Sequence, residues 1–261
     1  MIEVCHLTQT YPLRTSHKTR TEFTAVNDIS FKLSSDTAYA LVGESGSGKS
    51  TLAMMMACIL PPTKGEILLD GQNLSKLSAK QQRIIRGEIQ LVLQNSQSAL
   101  DPRKRIYNSI AEPLRKLRRL SRQEEYNTIR NILDKVQLQE TLLTRFPNEL
   151  SGGQQSRVCI ARAMCLAPRF VLFDESVSGL DVTVQKKVLD LLLELRQEFH
   201  STYLFITHDI DVALYMADHI FVMKEGRIIE EVSNAHSYHD FKEPYSRELI
   251  ESLPPKSPYQ R

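Results

Sequence analysis

One segment, Gly43-Glu-Ser-Gly-Ser-Gly-Lys49-Ser50, constrains the fold of this chain more than any other. It has the pattern G-x-x-x-x-G-K-S, follows the apolar run Tyr39-Ala-Leu-Val42 and precedes a helix-like run from Thr51 to Leu60. Glycines in such a loop let consecutive backbone N–H groups curve around phosphates, and the following helix N-terminus adds a partial positive charge. The pattern predicts a strand–loop–helix unit that binds a nucleoside triphosphate, with Lys49 at the β- and γ-phosphates and the Ser50 hydroxyl at Mg²⁺.

A second motif, Leu150-Ser-Gly-Gly-Gln154, precedes a helical run from Gln155 to Ala167. A serine and two glycines at a helix start form another anion-binding terminus, which a phosphate can approach closely. One nucleotide does not need two such sites in one chain. We therefore expect the second site to serve a nucleotide that is bound by a neighbouring chain.

A third motif is the apolar strand Phe170-Val-Leu-Phe-Asp174-Glu175, which ends in two carboxylates. Asp174 is placed to hold Mg²⁺ through water, and Glu175 is placed to polarise the attacking water. The pair predicts that the bound nucleotide is hydrolysed.

The three motifs resemble, in order and spacing, those of ABC-transporter ATPase subunits, over about residues 2 to 250. Further matches are Gln94 after the strand Ile89-Gln-Leu-Val-Leu93, Ser178-Gly-Leu-Asp181, and His208 after the strand Tyr203-Leu-Phe-Ile-Thr207. The resemblance implies an α/β fold of the P-loop NTPase (ABC ATPase) class. That fold has a mostly parallel core sheet, an N-terminal antiparallel β-subdomain and an inserted α-helical lobe.

The resemblance also implies a division of the chain. Residues 1–250 would form a single ABC ATPase domain, with a C-terminal tail over 236–261. Within the domain, 1–94 and 168–235 would form the RecA-like core with the β-subdomain, and 95–167 the helical lobe with the signature motif. We expect the end of the chain from Leu253 to be flexible or loosely docked.

In the family that the chain resembles, two subunits pair head to tail and enclose two ATP molecules. The residues implied to contact nucleotide are Tyr11, Gly43, Ser45, Gly46, Gly48, Lys49, Ser50, Thr51, Ser151, Gly152, Gly153, Gln154, Asp174 and Asp181. Of these, Ser151 and Gly153 would touch the γ-phosphate of the partner's ATP, and Asp181 would link the two sites. Tyr11 would stack on adenine, with Phe23 as the rival.

Three further residues are implied to act in catalysis: Glu175 as the base, His208 as a γ-phosphate contact and Gln94 as a sensor of the γ-phosphate. Ser50, Gln94 and Asp174 are the implied Mg²⁺ ligands. His208, Tyr11 and Gln94 each have a simpler interpretation when they are taken alone. A histidine after a strand is more often a cap, a single tyrosine is more often packing, and a single glutamine is an ordinary surface residue.

Composition agrees with such a subunit. The net charge of +2 gives no field that would attract nucleic acid. The longest apolar run, Val188 to Leu195, contains two acidic residues and is far shorter than the roughly 18–20 residues that span a bilayer. The N-terminus has no signal-peptide pattern. The four cysteines form no C-x-x-C pair; Cys159 and Cys165 are predicted to be buried small residues in a reducing cytoplasm.

Two N-terminal strands are predicted, Ile2 to Leu7 and Ala25 to Leu33, on either side of a basic loop from Pro12 to Thr24. We interpret that loop as solvated surface in preference to an anion contact. A hairpin is predicted at 65–71, and helices are predicted from Glu112 to Leu120 and from Glu124 to Val136.

The branch of the family is indicated by three segments: Gln94 to Arg103, Ile110-Ala-Glu-Pro-Leu114 and Pro244-Tyr-Ser-Arg-Glu-Leu249. They resemble importers of oligopeptides, dipeptides and nickel. Val177 makes the nickel-type ATPases the nearest match, although Ser176 and Gly179 depart from the usual proline and alanine.

The resemblance predicts an ATP-hydrolysing subunit that powers import of nickel, a metal chelate or an oligopeptide, using ATP and Mg²⁺. It would lie at the cytoplasmic face of the inner membrane as a peripheral subunit. Its partners would be a sister ATPase subunit in a heterodimer (or a second copy), two transmembrane permeases and, indirectly, an extracytoplasmic substrate-binding protein. No nucleic acid is expected. The alternatives are an ABC exporter and a soluble ABC-family ATPase, although the chain has one cassette and no heptad insertion.

Overall fold

The computed structural model describes residues 1–14, 20–93, 99–176 and 181–252. They fall into two compact units. Unit 1 comprises Met1–Ser75 together with the chain from Leu204 onward, and unit 2 comprises Lys76–Tyr203. The expected flexible end from Leu253 lies outside the described residues.

Unit 1 contains an antiparallel sheet in the order β2-β1-β4-β5. Its strands are β1 (Ile2–Arg14), β2 (Arg20–Leu33), β4 (Lys64–Leu69) and β5 (Gln72–Asn73). This is the predicted N-terminal β-sheet, and β4 with β5 forms the predicted hairpin. Main-chain hydrogen bonds in such a sheet hold strands that are remote in sequence, so β1 pairs both with its neighbour β2 and with β4.

The predicted loop from Pro12 to Thr24 is wrong at both ends. β1 continues to Arg14 and β2 already begins at Arg20, with Tyr11 opposite Phe23 and Pro12 opposite Glu22. Beyond Thr8, β1 has no further register with β4. Pro12 therefore lies where the missing N–H costs no hydrogen bond with a second strand. The basic residues suggested a loop, but the aromatic and β-branched residues among them favour a strand.

The other strands of unit 1 are β3 (Ala38–Val42), β8 (Thr202–Thr207), β9 (His219–Lys224) and β10 (Arg227–Ser233), in the order β10-β9-β3-β8. The division between the units falls within β8. β3 and β9 are parallel, and β9 and β10 form an antiparallel hairpin. Every residue of β3 is buried, as is typical of a parallel sheet that is covered on both faces.

The helices of unit 1 are α1 (Lys49–Met56), α7 (Ile210–Met216) and α8 (Pro244–Glu251). α1 is shorter than the predicted run to Leu60. The chain leaves the helix at Cys58, whose φ is +55°, and Ile59 N–H donates to the Met54 carbonyl at 2.9 Å. This pattern of bonds satisfies the last carbonyls and ends the helix, although the sequence remains apolar.

Unit 2 holds the parallel strands β6 (Ile89–Val92) and β7 (Phe170–Asp174). Its helices are α2 (Ala79–Glu88), α3 (Ile106–Leu117), α4 (Arg122–Lys135), α5 (Gly152–Met164) and α6 (Val182–Phe199). α3 begins six residues before the predicted Glu112, because Ile106, Ile110 and Leu114 form its buried face. The parallel pairs in both units confirm the predicted α/β class with a mostly parallel core.

Cys159 and Cys165 are buried, as predicted. Burial raises the pKa of the Cys159 thiol to about 11 and that of Cys165 to about 12, so both thiols stay protonated at neutral pH. Among the described helices, none is long and apolar enough to cross a membrane.

Candidate nucleotide-binding site

The loop between β3 and α1 is built around the side chain of Lys49. Its ammonium donates to the carbonyl oxygens of Gly43 and Glu44, both at 2.7 Å, and to the Ser47 hydroxyl at 3.3 Å. Lys49 is only 5% exposed. The loop therefore holds a nearly buried cation at its centre, where phosphate oxygens can replace the carbonyl partners.

Two positions in the loop accept only glycine. A Cβ on Gly43 would lie 2.2 Å from the Met223 carbonyl oxygen, and one on Gly48 would lie 2.1 Å from that of Ala25. Gly48 also has a φ of +105°, which side chains rarely adopt. The backbone of the loop thus lies directly against β2 and β9, which gives it one shape. Ser45, Gly46 and Ser50 are exposed and Thr51 is half-buried.

The two candidates for stacking on adenine are cross-strand neighbours. Tyr11 on β1 lies opposite Phe23 on β2, and residues directly opposite in an antiparallel pair share one face. Tyr11 is half-buried and Phe23 is 49% exposed. Both residues therefore lie on the same face of the sheet, and the choice between them stays a prediction.

His208 is exposed and follows β8 in unit 1. The next residue caps α7, because the Asp209 carboxylate accepts from Asp211 N–H at 2.8 Å and from Val212 N–H at 3.4 Å. Asp209 is thus the N-cap of this helix. Since Asp209 fills the capping role, the imidazole of His208 is not the N-cap of this helix.

In unit 2, the end of β7 places two carboxylates in different surroundings. Asp174 is 8% exposed, whereas Glu175 is half-buried. Glu175 has a φ of +46°, a left-handed conformation that is uncommon for a residue with a side chain. The Ser156 hydroxyl on α5 donates to the Ser176 carbonyl at 3.5 Å. The turn after the strand is therefore joined to the helix that follows the second motif.

Ser151 begins α5 through a capping box. Its Oγ accepts from Gln154 N–H at 3.3 Å, and Gln154 Oε1 accepts from Ser151 N–H at 3.0 Å. The predicted helix start at Gln155 was therefore three residues late. The cap aligns the N–H groups of the first turn toward the helix end, as an anion site requires.

A cavity of about 430 Å³ lies at this end of α5. It is lined by Ser151, Gly152, Gly153, Gln154, Arg157, Asp181, Val184 and Lys187. The Asp181 carboxylate caps α6 by accepting from Val184 N–H at 3.0 Å. Two cations, Arg157 and Lys187, thus line the same cavity as a helix N-terminus, and this combination can hold an anion.

The sequence of this chain matches a known protein family. The family model described as ABC transporter matches residues 26–178. This chain belongs to the ABC transporter family. It is an ABC-type ATPase, as the sequence predicted.

Several relatives of this ABC ATPase are similar over most of the chain. The Di/tripeptide transport ATP-binding protein DppF of Pseudomonas aeruginosa is 39% identical over 88% of this chain and 71% of its own length. The Oligopeptide transport ATP-binding protein AppF of Bacillus subtilis is 38% identical over 88% and 70%. The Glutathione import ATP-binding protein GsiA of Pectobacterium atrosepticum is 36% identical over 100% of this chain but 42% of its own length.

Solved structures show the same fold. The dimeric, post-hydrolysis structure of the ATP-binding cassette MJ0796 bound to ADP and Pi has a TM-score of 0.79 and 29% identity, covering 90% of this chain and 99% of its own. The structure of cbiO1 from Clostridium perfringens, part of the cbiONQ complex, has a TM-score of 0.75 and 28% identity, covering 96% and 90%.

Within unit 1 the fold brings together the phosphate loop residues, and within unit 2 it brings together the second motif and Asp181. Sequence reasoning missed Arg157 and Lys187. Arg157 follows the motif residue Gly153 by four positions, and Lys187 follows Val184, another residue that lines the cavity, by three. These spacings place each pair on one helix face. Gln94 and residues 177–180, including Val177 and Gly179, lie outside the described residues.

Proposed function

We propose that this ABC ATPase powers the import of a small peptide, or of nickel or a nickel chelate, through a membrane transporter. The observation that carries the ATP-binding part is the ammonium of Lys49, nearly buried at the centre of a loop where only glycine fits at Gly43 and Gly48. The import part is supported by the relatives, which are named for transport of peptides or glutathione.

The phosphates of ATP would lie on the backbone from Gly43 to Thr51. The ammonium of Lys49 would leave the two carbonyls and donate to the β- and γ-phosphates. Tyr11, or its rival Phe23, would stack on adenine, and exposed His208 would contact the γ-phosphate. These roles require that Lys49 keep its charge and that the loop keep its shape.

Magnesium fits the oxygen donors that the motifs supply. The Ser50 hydroxyl is exposed at the start of α1, the Asp174 carboxylate lies at the end of β7, and Gln94 is the third proposed ligand. Mg²⁺ prefers such hard oxygen ligands and would neutralise charge on the phosphates. Glu175 would accept a proton from the attacking water, for which an ionised carboxylate is suited.

The cavity at α5 would receive the nucleotide of a partner subunit. Ser151 and Gly153 would meet its γ-phosphate, and Asp181 would link the two sites across the dimer. ATP would shift the pair toward a closed form, because these contacts form only when the subunits meet. We take a heterodimer with a sister ATPase as the arrangement, with residues 1–250 as one ABC ATPase domain.

A larger cavity in unit 2, of about 840 Å³, suits contact with the membrane subunits. It is lined by apolar groups of β6 and α3 and by cations, including Arg83, Arg86, Lys116 and Arg162. A cytoplasmic helix of one permease would dock here, and that of the second permease would dock on the sister ATPase. The ATPase would then be peripheral at the cytoplasmic face of the inner membrane, and a substrate-binding protein would act on the outer side.

The cargo is tested by uptake of a labelled dipeptide and of labelled nickel in cells that carry Lys49→Ala. Loss of the ammonium removes the phosphate contact, so we expect ATP affinity and uptake of the cargo to fall at least about tenfold. Lys64→Ala, which removes an exposed lysine on β4, serves as the control.

Loss of dipeptide uptake alone would assign peptides as the cargo, and loss of nickel uptake alone would assign nickel or its chelate. If neither changes while ATP binding is lost, the importer assignment fails. If Lys49→Ala binds ATP like the wild type, the phosphate-loop assignment fails first.

A further inference from the structure

Tyr245 on the C-terminal helix α8 contacts the phosphate loop. Tyr245 is 7% exposed, and its hydroxyl oxygen accepts a hydrogen bond from the Glu44 backbone N–H at 3.3 Å. Burial raises the pKa of this hydroxyl, so it stays uncharged at neutral pH. A residue 201 positions away in sequence thus reaches the second residue of the loop.

The contact acts on the peptide group that also holds Lys49. A peptide group is planar and trans, so the Gly43 carbonyl and the Glu44 N–H point in opposite directions from one rigid plane. The Gly43 carbonyl accepts from the Lys49 ammonium at 2.7 Å on one side, and Tyr245 accepts from the N–H on the other. The orientation of this peptide therefore depends on both side chains.

The next carbonyl, that of Glu44, also accepts hydrogen bonds. The Glu44 carbonyl accepts from the Lys49 ammonium at 2.7 Å and from Ser47 N–H at 3.2 Å. When ATP draws the ammonium away, the Gly43 carbonyl loses its hydrogen bond from Lys49. The bond between Tyr245 and the Glu44 N–H still orients the peptide.

Tyr245 is itself held firmly against the sheet. The Lys224 ammonium at the end of β9 lies 4.3 Å from the centre of its ring. The carboxylate of Glu230 on β10 accepts from Lys242 N–H at 2.6 Å, from Glu243 N–H at 3.2 Å and from the Ser246 hydroxyl. These bonds fix the start of α8 and so fix the direction of the tyrosine.

We propose that Tyr245 is a positioning residue of the ATP site, which holds the Gly43–Glu44 peptide in the orientation that binds phosphate. The segment around α8 is therefore part of the nucleotide site. This inference rests on the proposed ATP-binding function of the loop. It adds to that function a residue outside the loop motif and outside the matched region 26–178.

The test is Tyr245→Phe, which removes the hydroxyl and keeps the ring against Lys224. Tyr238→Phe is the matched control, because that hydroxyl belongs to the same C-terminal segment but bonds to the Asp211 carboxylate. In the full chain, we expect Tyr245→Phe to weaken mant-ATP binding about three- to tenfold, the range for one neutral hydrogen bond. KM for ATP should rise by the same factor with kcat within about twofold, since the bond acts on binding.

The control should bind mant-ATP within about twofold of the wild type, and both variants should unfold at similar temperatures. The inference is overturned if Tyr245→Phe binds like Tyr238→Phe, or if it lowers kcat with KM unchanged. Lys49→Ala in the same assay separates the two hypotheses. If it binds like the wild type, the loop assignment is wrong; if it does not, a normal Tyr245→Phe refutes only the role of Tyr245.

Discussion

At the scale of the residue, Glu175 combines an acidic side chain with a left-handed backbone. Glu175 has a φ of +46° and directly follows Asp174, the buried last residue of β7. A side chain in this region costs on the order of 1–3 kcal/mol, and such strain is concentrated at functional sites. The residue type was predicted from the motif. The conformation was not, because it is imposed by the turn that leaves the strand.

We expect Glu175→Gln to keep ATP binding and to lower turnover at least about 100-fold, because the amide cannot accept a proton from water. Turnover is measured by phosphate release. With ATP bound and not hydrolysed, we also expect the closed dimer with the sister ATPase to accumulate on gel filtration.

Glu225→Gln is the matched control, since Glu225 is an exposed glutamate that also has a positive φ, +47°. Its turnover should equal that of the wild type. Unchanged turnover in Glu175→Gln would remove Glu175 as the base.

At the scale of the element, helix starts depend on caps that periodicity does not show. The apolar pattern predicted α5 from Gln155, but the Ser151 capping box starts it at Gly152. A capping box formed by Ser121 and Glu124 likewise starts α4 at Arg122, two residues before the predicted start at Glu124. A serine with Glu or Gln three residues later is readable in the sequence, so both boundaries could have been predicted more closely.

The start of α5 leaves no room for a side chain at Gly153. A Cβ there would lie 2.7 Å from Val184 Cγ1, a short branched side chain that cannot swing far. We expect Gly153→Ala to lower the free energy of unfolding by about 1–3 kcal/mol through overpacking between α5 and α6. Urea unfolding followed by circular dichroism measures this.

Gly87→Ala in α2 gives the contrasting case. The added methyl would meet Leu117 Cδ1 at 3.9 Å, an ordinary contact. Alanine has the higher helix propensity, so we expect a gain of about 0.5–1 kcal/mol. If Gly153→Ala and Gly87→Ala change the free energy of unfolding equally, the contact with Val184 does not restrict the side chain at position 153.

At the scale of the whole molecule, the residues proposed for the site come from both units. The phosphate loop, Tyr11 and His208 belong to unit 1, whereas Asp174, Glu175 and the residues around the α5 cavity belong to unit 2. The proposed function therefore depends on both units remaining folded, and charge pairs inside a unit affect it through stability.

Glu112 in unit 2 makes stability dependent on pH. Its carboxylate accepts from Lys116 at 2.6 Å and from Lys104 at 3.0 Å, and these bonds lower its pKa from 4.5 to about 2. Because the pKa is depressed in the folded state, the stabilisation is complete above pH 4.5 and is lost as pH falls toward 2.

We expect Glu112→Gln to lower the free energy of unfolding by about 1 kcal/mol at pH 7. The difference from the wild type should shrink as the pH falls below 4.5 in urea titrations. Glu251→Gln, at the exposed end of α8, controls for the change in net charge. If the free energies of unfolding of Glu112→Gln and the wild type differ by a constant amount from pH 7 to about pH 3, the ion pairs do not have this role.

The sequence by itself determined the features that depend on neighbouring residues. The phosphate loop, the buried strands β3 and β7 and the start of α7 at Asp209 are each specified within a few positions, because glycine conformation, apolar runs and caps act locally. The tertiary structure decided what surrounds them. It brings the carbonyls of Ala25 and Met223 against the loop glycines, Arg157 and Lys187 to one cavity, and Tyr245 to Glu44. These contacts join residues from distant parts of the chain, and side-chain packing over the whole fold selects them.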